Sequence, residues 1–489
     1  MSVRRALRFT TLATVLNFFL SFISVVVVSR LLKPEEIGVF SVAVSLVAYT
    51  LILRDFGVGQ YFVQLKELTR EHIRAGFTVM LLISWAIAAL LLLARGPAAS
   101  FYAHPGLAEI FSVLAFNFVI LPFGSPILSI LKREMQFGRL AIISVSNTVI
   151  QVTVTISTAL AGESYMSMAW GSIAGNLTNV LMLSLMRRDV ALLMPTFQGL
   201  GAVLSFGSKA SGSSLINQLG ASGPDLILAK TLSFEAVANF SRASSLNNMI
   251  LGKVNEIVGQ VFFPAFAQSI REGKSSAGMY CDAVKLITAI NVPLLGVLTL
   301  LAQSLILLFF GPQWHEAAYL ATFLCLYQLM RAPVAFAGNA LMAGGHAGAV
   351  LRNESIVQSV TLCILALSIW LDLEQVVHLL LIVPLINLAA FCRALAKHYN
   401  LHPLLLARAV GPSYSLLPPT LFGPFLVLGA SHYKVLTITP ALQTAASGIL
   451  AALGYIVALR ITNHPVREEL VRLSPPLAWI LGPIQRTPG

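Results

Sequence analysis

The sequence predicts an all-α integral membrane protein of about 14 transmembrane helices, built as two pseudo-repeated six-helix lobes plus two C-terminal helices. Three observations carry that prediction. The chain is 57% hydrophobic and only 11% charged over 489 residues, with a mean hydropathy of +0.81, too little charge to cover a soluble domain of this size. Apolar stretches long enough to cross a bilayer recur along the chain. Finally, RLLKPEEIGVFSVAVSL at Arg30–Leu46 returns 200 residues later as KTLSFEAVANFSRASSL at Lys230–Leu246. Without a gap, Leu32, Glu35, Phe40, Ser41, Ala43, Ser45 and Leu46 match Leu232, Glu235, Phe240, Ser241, Ala243, Ser245 and Leu246, and Asn17 matches Asn217. An internal repeat in a polytopic membrane protein marks a transporter whose halves rock about a central site.

Apolar stretches of about 20 residues fall at 9–30, 37–58, 76–95, 106–130, 139–160 and 165–186 in the first half. The second half repeats the set at 201–229, 235–262, 284–310, 317–344, 350–371 and 375–395, and two more follow at 413–432 and 437–459. The expected organisation is therefore an N-terminal lobe over 1–200, a C-terminal lobe over 201–400, two additional helices over 401–462 and a cytoplasmic tail over 463–489. At about 25 residues each, the helices take up most of the chain, so the connections are short and no extramembrane domain fits. The PPLAWILGPI stretch after Ser474 is too short to span and carries three prolines, which reads as interfacial or disordered. The basic Met1–Arg8 segment leads into an apolar run without a small-residue cleavage site, so the first helix is retained.

Lysine and arginine set the orientation. With a cytoplasmic N-terminus, 22 of the 32 fall on the cytoplasmic side, whereas only Arg30, Lys33, Arg95, Lys230 and Lys434 fall outside. That asymmetry selects one topology, with both termini inside. The net charge of +12 is thus an orientation signal. It is spread over many short loops, unlike the single basic face of a nucleic-acid binder. Cys281, Cys325, Cys363 and Cys392 have no close spacing and imply neither a disulfide framework nor a metal site.

Arg54, Lys209, Arg242, Lys253 and Arg331 remain within the spans, with Asp55, Asp225 and Glu256. Each ionised group at a helix centre costs about 2.5–3.5 kcal/mol on insertion scales, so eight together point to a wet cavity. Its excess charge is cationic and suits an anion, above all a phosphate or pyrophosphate. Arg54 lies within snorkelling reach of the interface, and Lys209 more so. Arg331 sits mid-span two residues before Pro333, where a kink frees carbonyls and opens space. Lys253 and Glu256 share a helix face, which fits an ion pair as well as a functional site. Asp225 and Arg242 fall at equal depth on two sides of a hairpin turning near Ser233, and their repeat partners Val25 and Val42 are apolar. They read either as a hairpin staple or as a pair that an anion breaks, leaving Asp225 free to take a proton.

Nothing marks an enzyme: the chain has no phosphate-binding Walker sequence and no GxSxG. His398 and His402 have a zinc-like spacing, but no glutamate follows the first, Pro403 adjoins the second, and no metal or cofactor is expected.

The segment SRLLKPEEIGVFSVAVSLVAYTLILRDFGVGQYFVQ (29–64) resembles the signature of the polysaccharide transporters, Wzx-type flippases of the multidrug/oligosaccharidyl-lipid/polysaccharide exporter superfamily. Pro224, Asp225, Leu226 and Ile227, then LAKTLSFEAVANFSRASSL and VFFPAFAQSI (261–270), are similar to that family's hairpin of helices 7 and 8. The resemblance implies a V-shaped fold with a central cationic cavity, and transfer of undecaprenyl-diphosphate-linked oligosaccharides across the bacterial inner membrane for O-antigen, capsule or exopolysaccharide assembly. A polysaccharide polymerase and a chain-length regulator would be its partners, besides membrane lipids. Arg54, Arg242, Lys253 and Arg331 would hold the substrate, and Asp225 and Glu256 would couple a cation. Related lipid II flippases carry cavity arginines on helices 1, 2 and 8. Arg54 and Arg242 match by helix, while helix 1 offers no arginine before Arg30. Two alternatives stay open: a multidrug or other lipid exporter of the same superfamily, and a membrane polymerase, which would carry a large periplasmic loop.

The topology has a direct test. In a cysteine-free background, single cysteines at Ala98, Glu163, Gln313 and Ser431 should react with a membrane-impermeant thiol reagent in spheroplasts, and ones at Glu67, Gln136 and Gly273 should not. Reversed labelling would overturn the orientation.

Overall fold

A computed structural model describes residues 3–55, 58–65, 67–191, 194–197, 200–201, 218, 220–272, 276–433, 439–462 and 464–468. Every regular element among them is helical. Among the described residues, ten helical segments are long and apolar enough to cross a membrane. The protein is a multi-pass, all-α membrane protein.

The chain forms two compact units, Met1–Ala238 and Asn239–Gly489. The first contains α1 (Val3–Leu31), α2 (Pro34–Asp55), the short α3 (Val58–Gln64), α4 (Arg70–Phe101), α5 (Gly106–Ile120), α6 (Ser125–Arg133), α7 (Phe137–Leu160), α8 (Met166–Met186), the single turn α9 (Arg188–Ala191) and α10, helical over 220–231. Next, α11 (Phe234–Arg271) starts in the first unit and continues into the second. The second unit adds α12 (Ser276–Phe310), α13 (His315–Arg331), α14 (Ala337–Ala343), α15 (Ala347–Ala366), α16 (Leu373–Leu380), α17 (Val383–Tyr399), α18 (Pro403–Tyr414), α19 (Leu417–His432) and α20 (Pro440–Thr462).

Three of the expected spans are helices that fall short of a membrane-crossing composition or length. Asn176, Thr178 and Asn179 make α8 too polar, α11 carries Arg242, Asn247 and Asn248, and α19 has 16 residues. Much of the expected 201–229 span, with Lys209 and Asn217, lies outside the described residues, as does the PPLAWILGPI stretch.

The expected 375–395 span is interrupted at 381–382, between α16 and α17, and two others are broken around a proline. The 106–130 stretch turns into a 3-10 segment at Leu121–Phe123 around Pro122, and the 317–344 stretch does the same at Ala332–Val334 around Pro333. Proline lacks the N–H that would continue the ladder, and its ring clashes with the preceding turn. The short α3 was not foreseen either. Its Phe62 is fully buried against Ala75, Val79 and Met80, and Arg133 donates to the Phe62 carbonyl.

The repeat is written into the backbone. Leu32 N–H donates to Val28 O and Ile37 N–H to Lys33 O; 200 positions on, Leu232 donates to Leu228 O and Val237 to Ser233 O. At the end of α6, Met135 and Gln136 donate to Lys132 O and Leu131 O, and at the end of α14, Gly345 and His346 donate to Met342 O and Leu341 O. Both ends are Schellman motifs, with Met135 (φ 53°) and Gly345 (φ 80°) in the left-handed conformation such a cap requires.

Within the first unit, α10 and the start of α11 pack on α2 and on the α4–α5 turn. Lys230 Nζ donates to Phe101 O at 2.6 Å and lies 4.3 Å from the Phe101 ring, while the Phe234 ring sits 5.1 Å from His104. At the end of α8, Arg187 bonds Glu134 at 2.7 Å and Asp189 at 3.0 Å; its hydrogen bond holds the Asp189 carboxyl below the usual carboxylate range. In the second unit, Phe262, Phe266, Tyr280, Phe336 and Phe391 form an aromatic core, tied by the Tyr399 hydroxyl donating to Ala340 O at 2.6 Å.

A Cβ on Gly38 would overlap the Phe234 carbonyl. Because both partners are backbone, Gly38→Ala should push α2 from the start of α11 and cost about 1–3 kcal/mol or more. Gly348→Ala, where nothing lies within 4 Å, should leave stability within about 0.5 kcal/mol. Thermal unfolding of the two purified variants checks the contrast.

Candidate functional site

Arg331 is the last residue of α13, at the mouth of the Pro333 break. The helix ends there because Ala332 begins the 3-10 turn, and the rotation it imposes leaves the guanidinium beside a cavity of about 180 Å³. Asn247, Asn248, Asn291 and Gln328 line that cavity with Arg331. A second cavity of about 180 Å³ shares Asn247, Asn248 and Gln328 and adds Phe240, Ser244 and Tyr327. The Arg331 guanidinium carbon lies 5.8 Å from the Tyr327 ring. Asn247 and Asn291 are each 3% exposed, and among the described residues Asn247 Oδ1 and Arg331 Nε are buried without a hydrogen-bond partner. Burying a polar atom unpaired costs about 1–3 kcal/mol, so such atoms await a ligand or water.

Arg242, on α11, is placed differently. Its guanidinium lies 5.9 Å from the Phe310 ring and 5.6 Å from the fully buried Trp314 ring. These aromatic faces come from the end of α12 and the 3-10 turn after it (Pro312–Trp314), where Gly311 at φ 102° lets the chain reverse. The rings stabilise a desolvated cation by about 2 kcal/mol in total. Arg242 lines neither polar cavity.

In the first unit, the half-buried Asp225 of α10 accepts a 2.7 Å hydrogen bond from the Ser45 hydroxyl of α2, with Tyr49 close by. Arg54 is half-buried in the last turn of α2. Lys253 and Glu256 lie on α11, but their side chains, like that of Asp55, are outside the described residues. The structure therefore brings Arg331 together with amides and gives Asp225 and Arg242 neutral partners, each within its own unit.

His398 stacks on His346, with ring centroids 4.0 Å apart. No group of three or more potential metal ligands occurs among the described residues. A third cavity, of about 500 Å³, is an apolar groove of Ile290, Pro293, Leu294, Val297, Ala451 and Tyr455 between α12 and α20. The amides escaped the sequence reading, which tracked charges; Asn247–Asn248 inside an apolar helix and Gln328 one turn before Arg331 were the available signal.

A profile of the polysaccharide biosynthesis protein family matches residues 27–319. The chain belongs to that family. Two relatives agree with the family assignment. The chain is 22% identical over 338 residues to the lipopolysaccharide biosynthesis protein WzxC of Escherichia coli K12, covering 69% of each chain. It is 24% identical over 318 residues to the succinoglycan biosynthesis transport protein ExoT of Rhizobium meliloti, covering 65% of this chain and 64% of that one. Among solved structures, the lipid II flippase MurJ in an inward closed conformation matches with a TM-score of 0.74 at 12% identity, covering 95% of this chain and 99% of that one. An inward-facing multidrug resistance MATE transporter matches at 0.61 and 15% identity, over 79% of this chain and 95% of that one. These structural likenesses establish a shared fold; what the family member does depends on its own site residues.

The Trp314 ring is the buried partner of Arg242, so Trp314→Ala should leave both a cavity and a cation without its aromatic face. We expect a loss of about 3–5 kcal/mol in unfolding free energy, largely recovered by Trp314→Phe. Denaturant unfolding in detergent reads both.

Proposed function

We propose that this chain moves undecaprenyl-diphosphate-linked oligosaccharide repeat units from the cytoplasmic to the periplasmic leaflet of the bacterial inner membrane, for exopolysaccharide, capsule or O-antigen assembly. The observation that carries the reading is a polar cavity with an arginine and four amides inside a bundle of membrane helices that belongs to a polysaccharide biosynthesis family. The names of WzxC, ExoT and MurJ support it. In this reading the lobes 1–200 and 201–400 alternate access, both termini are cytoplasmic, and no chemical bond is made or broken.

Arg331, Arg242, Lys253 and Arg54 hold the anionic substrate, while the apolar groove of α12 and α20 is of a size and character to take part of a polyprenyl chain. Asp225 and Glu256 couple a cation gradient to the motion. Asp225 has the chemistry for it: a carboxylate whose hydrogen bond comes from the neutral Ser45 hydroxyl, so that gaining or losing a proton breaks no ion pair with that partner. A polymerase and a chain-length regulator would receive the product. The likeness to a MATE fold favours a multidrug exporter as the second reading.

A deletion strain should lose its surface or secreted polysaccharide and accumulate the lipid-linked repeat unit in the cytoplasmic leaflet. Single repeat units accumulating in the periplasmic leaflet would indicate a polymerase, and unchanged polysaccharide with raised drug sensitivity would indicate the exporter. At matched expression, Arg331→Ala should abolish polysaccharide output, while Arg331→Lys, which keeps the charge and loses the planar fork, should retain part of it.

A further inference from the structure

Two cavities of the second unit meet at a layer of three amides, Asn247, Asn248 and Gln328. Each holds about 180 Å³, below the roughly 300 Å³ where pockets for drug-sized ligands begin. That is space for one ring, and the linings differ. One has Arg331 as its charged side chain among the described residues, with Asn291 deep in the wall. The other has Phe240 and Tyr327.

The unpaired atoms define what fits. Arg331 Nε needs an acceptor, and Asn247 Oδ1 needs a donor. The Asn247 side chain is also hydrogen-bonded to Cys325, which fixes the amide on its other side. A diphosphate has acceptors only when fully ionised, so it would satisfy Arg331 while setting its oxygens against Asn247 Oδ1. It also brings more than one negative charge to a single guanidinium that already holds the Tyr327 side chain by a hydrogen bond. Excess charge in a membrane interior is costly. A sugar carboxylate brings one charge, which the Arg331 fork matches, and the hydroxyls of the same ring donate to and accept from the amides.

We infer that the Arg331 cavity is a subsite for one acidic sugar, a uronate or other carboxylated pyranose, and that the Tyr327–Phe240 cavity takes the neighbouring neutral ring against its aromatic faces. The repeat unit carried by this protein is then an acidic oligosaccharide. The inference rests on the proposed function and refines it, assigning Arg331 to the glycan and leaving the diphosphate to the other cations.

The full-length protein in lipid nanodiscs would be titrated with D-glucuronate, D-glucose and inorganic pyrophosphate, with binding read by saturation-transfer NMR. Glucuronate should bind at least about tenfold more tightly than glucose, a difference of about 1.4 kcal/mol. Arg331→Gln should bring that ratio near one. Gln328→Glu, which adds a like charge beside the carboxylate, should do the same and serves if the arginine variant fails to fold. Equal wild-type affinities, or a preference that survives both variants, would overturn the acidic-sugar subsite. So would pyrophosphate displacing glucuronate competitively in the wild type and losing affinity in Arg331→Gln. None of these outcomes bears on translocation itself, which the leaflet distribution in the deletion strain decides separately.

Discussion

The hydrocarbon interior offers no water, so every polar side chain placed there must find its partner inside the protein. That constraint shapes each part of the site. Asp225 takes the Ser45 hydroxyl, Arg242 lies against the rings of Phe310 and Trp314, and Arg331 opens onto amides at a helix break. Each ionisable group thus has neutral neighbours, with aromatic rings beside both arginines. Only the last retains a vacancy into which a solute of sugar size can enter.

The internal repeat supplies one scaffold for two chemistries. The hairpin that turns at Lys33 and the one that turns at Ser233 share their backbone hydrogen bonds, yet Val25 and Val42 of the first correspond to Asp225 and Arg242 of the second. Apolar copies keep the first hairpin a packing element, and charged copies give the second its polar character. Ser45 and Ser245 show the same divergence at a single pair: the first donates to Asp225, whereas the second folds back on Arg242 O. Duplication preserved the turns because their caps are geometric, and freed the side chains because they are not.

Hydropathy and the repeat made most of the fold legible, since helix length and apolar composition are dictated by bilayer thickness. Pro333 announced the break beside Arg331. Pro122 carries the same information at the Leu121–Phe123 turn, without a charged residue beside it. The short α3 was illegible: its Val58 and Phe62 are buried through tertiary packing on α4 and α6, and local pattern does not encode that. At the site, charge located the arginines but not their environments. Amides carry no net charge, and Asn247 gains its meaning from Asn291 and Gln328, far away in sequence and one cavity wall away in space.

The longest membrane-crossing helix of the second unit, α12, outreaches the layer it crosses. At 1.5 Å per residue, the 35 residues of α12 extend about 52 Å, against a hydrocarbon thickness of about 30 Å. The surplus must be taken up by tilt or by projection beyond the lipid. Such a rod acts as a lever: a swing of about ten degrees about Pro293 carries an end by several ångström, more than the width of a water molecule. Any angular adjustment at the level of the groove would be magnified at the far end of the helix, where Phe310 leads into the turn that carries Trp314.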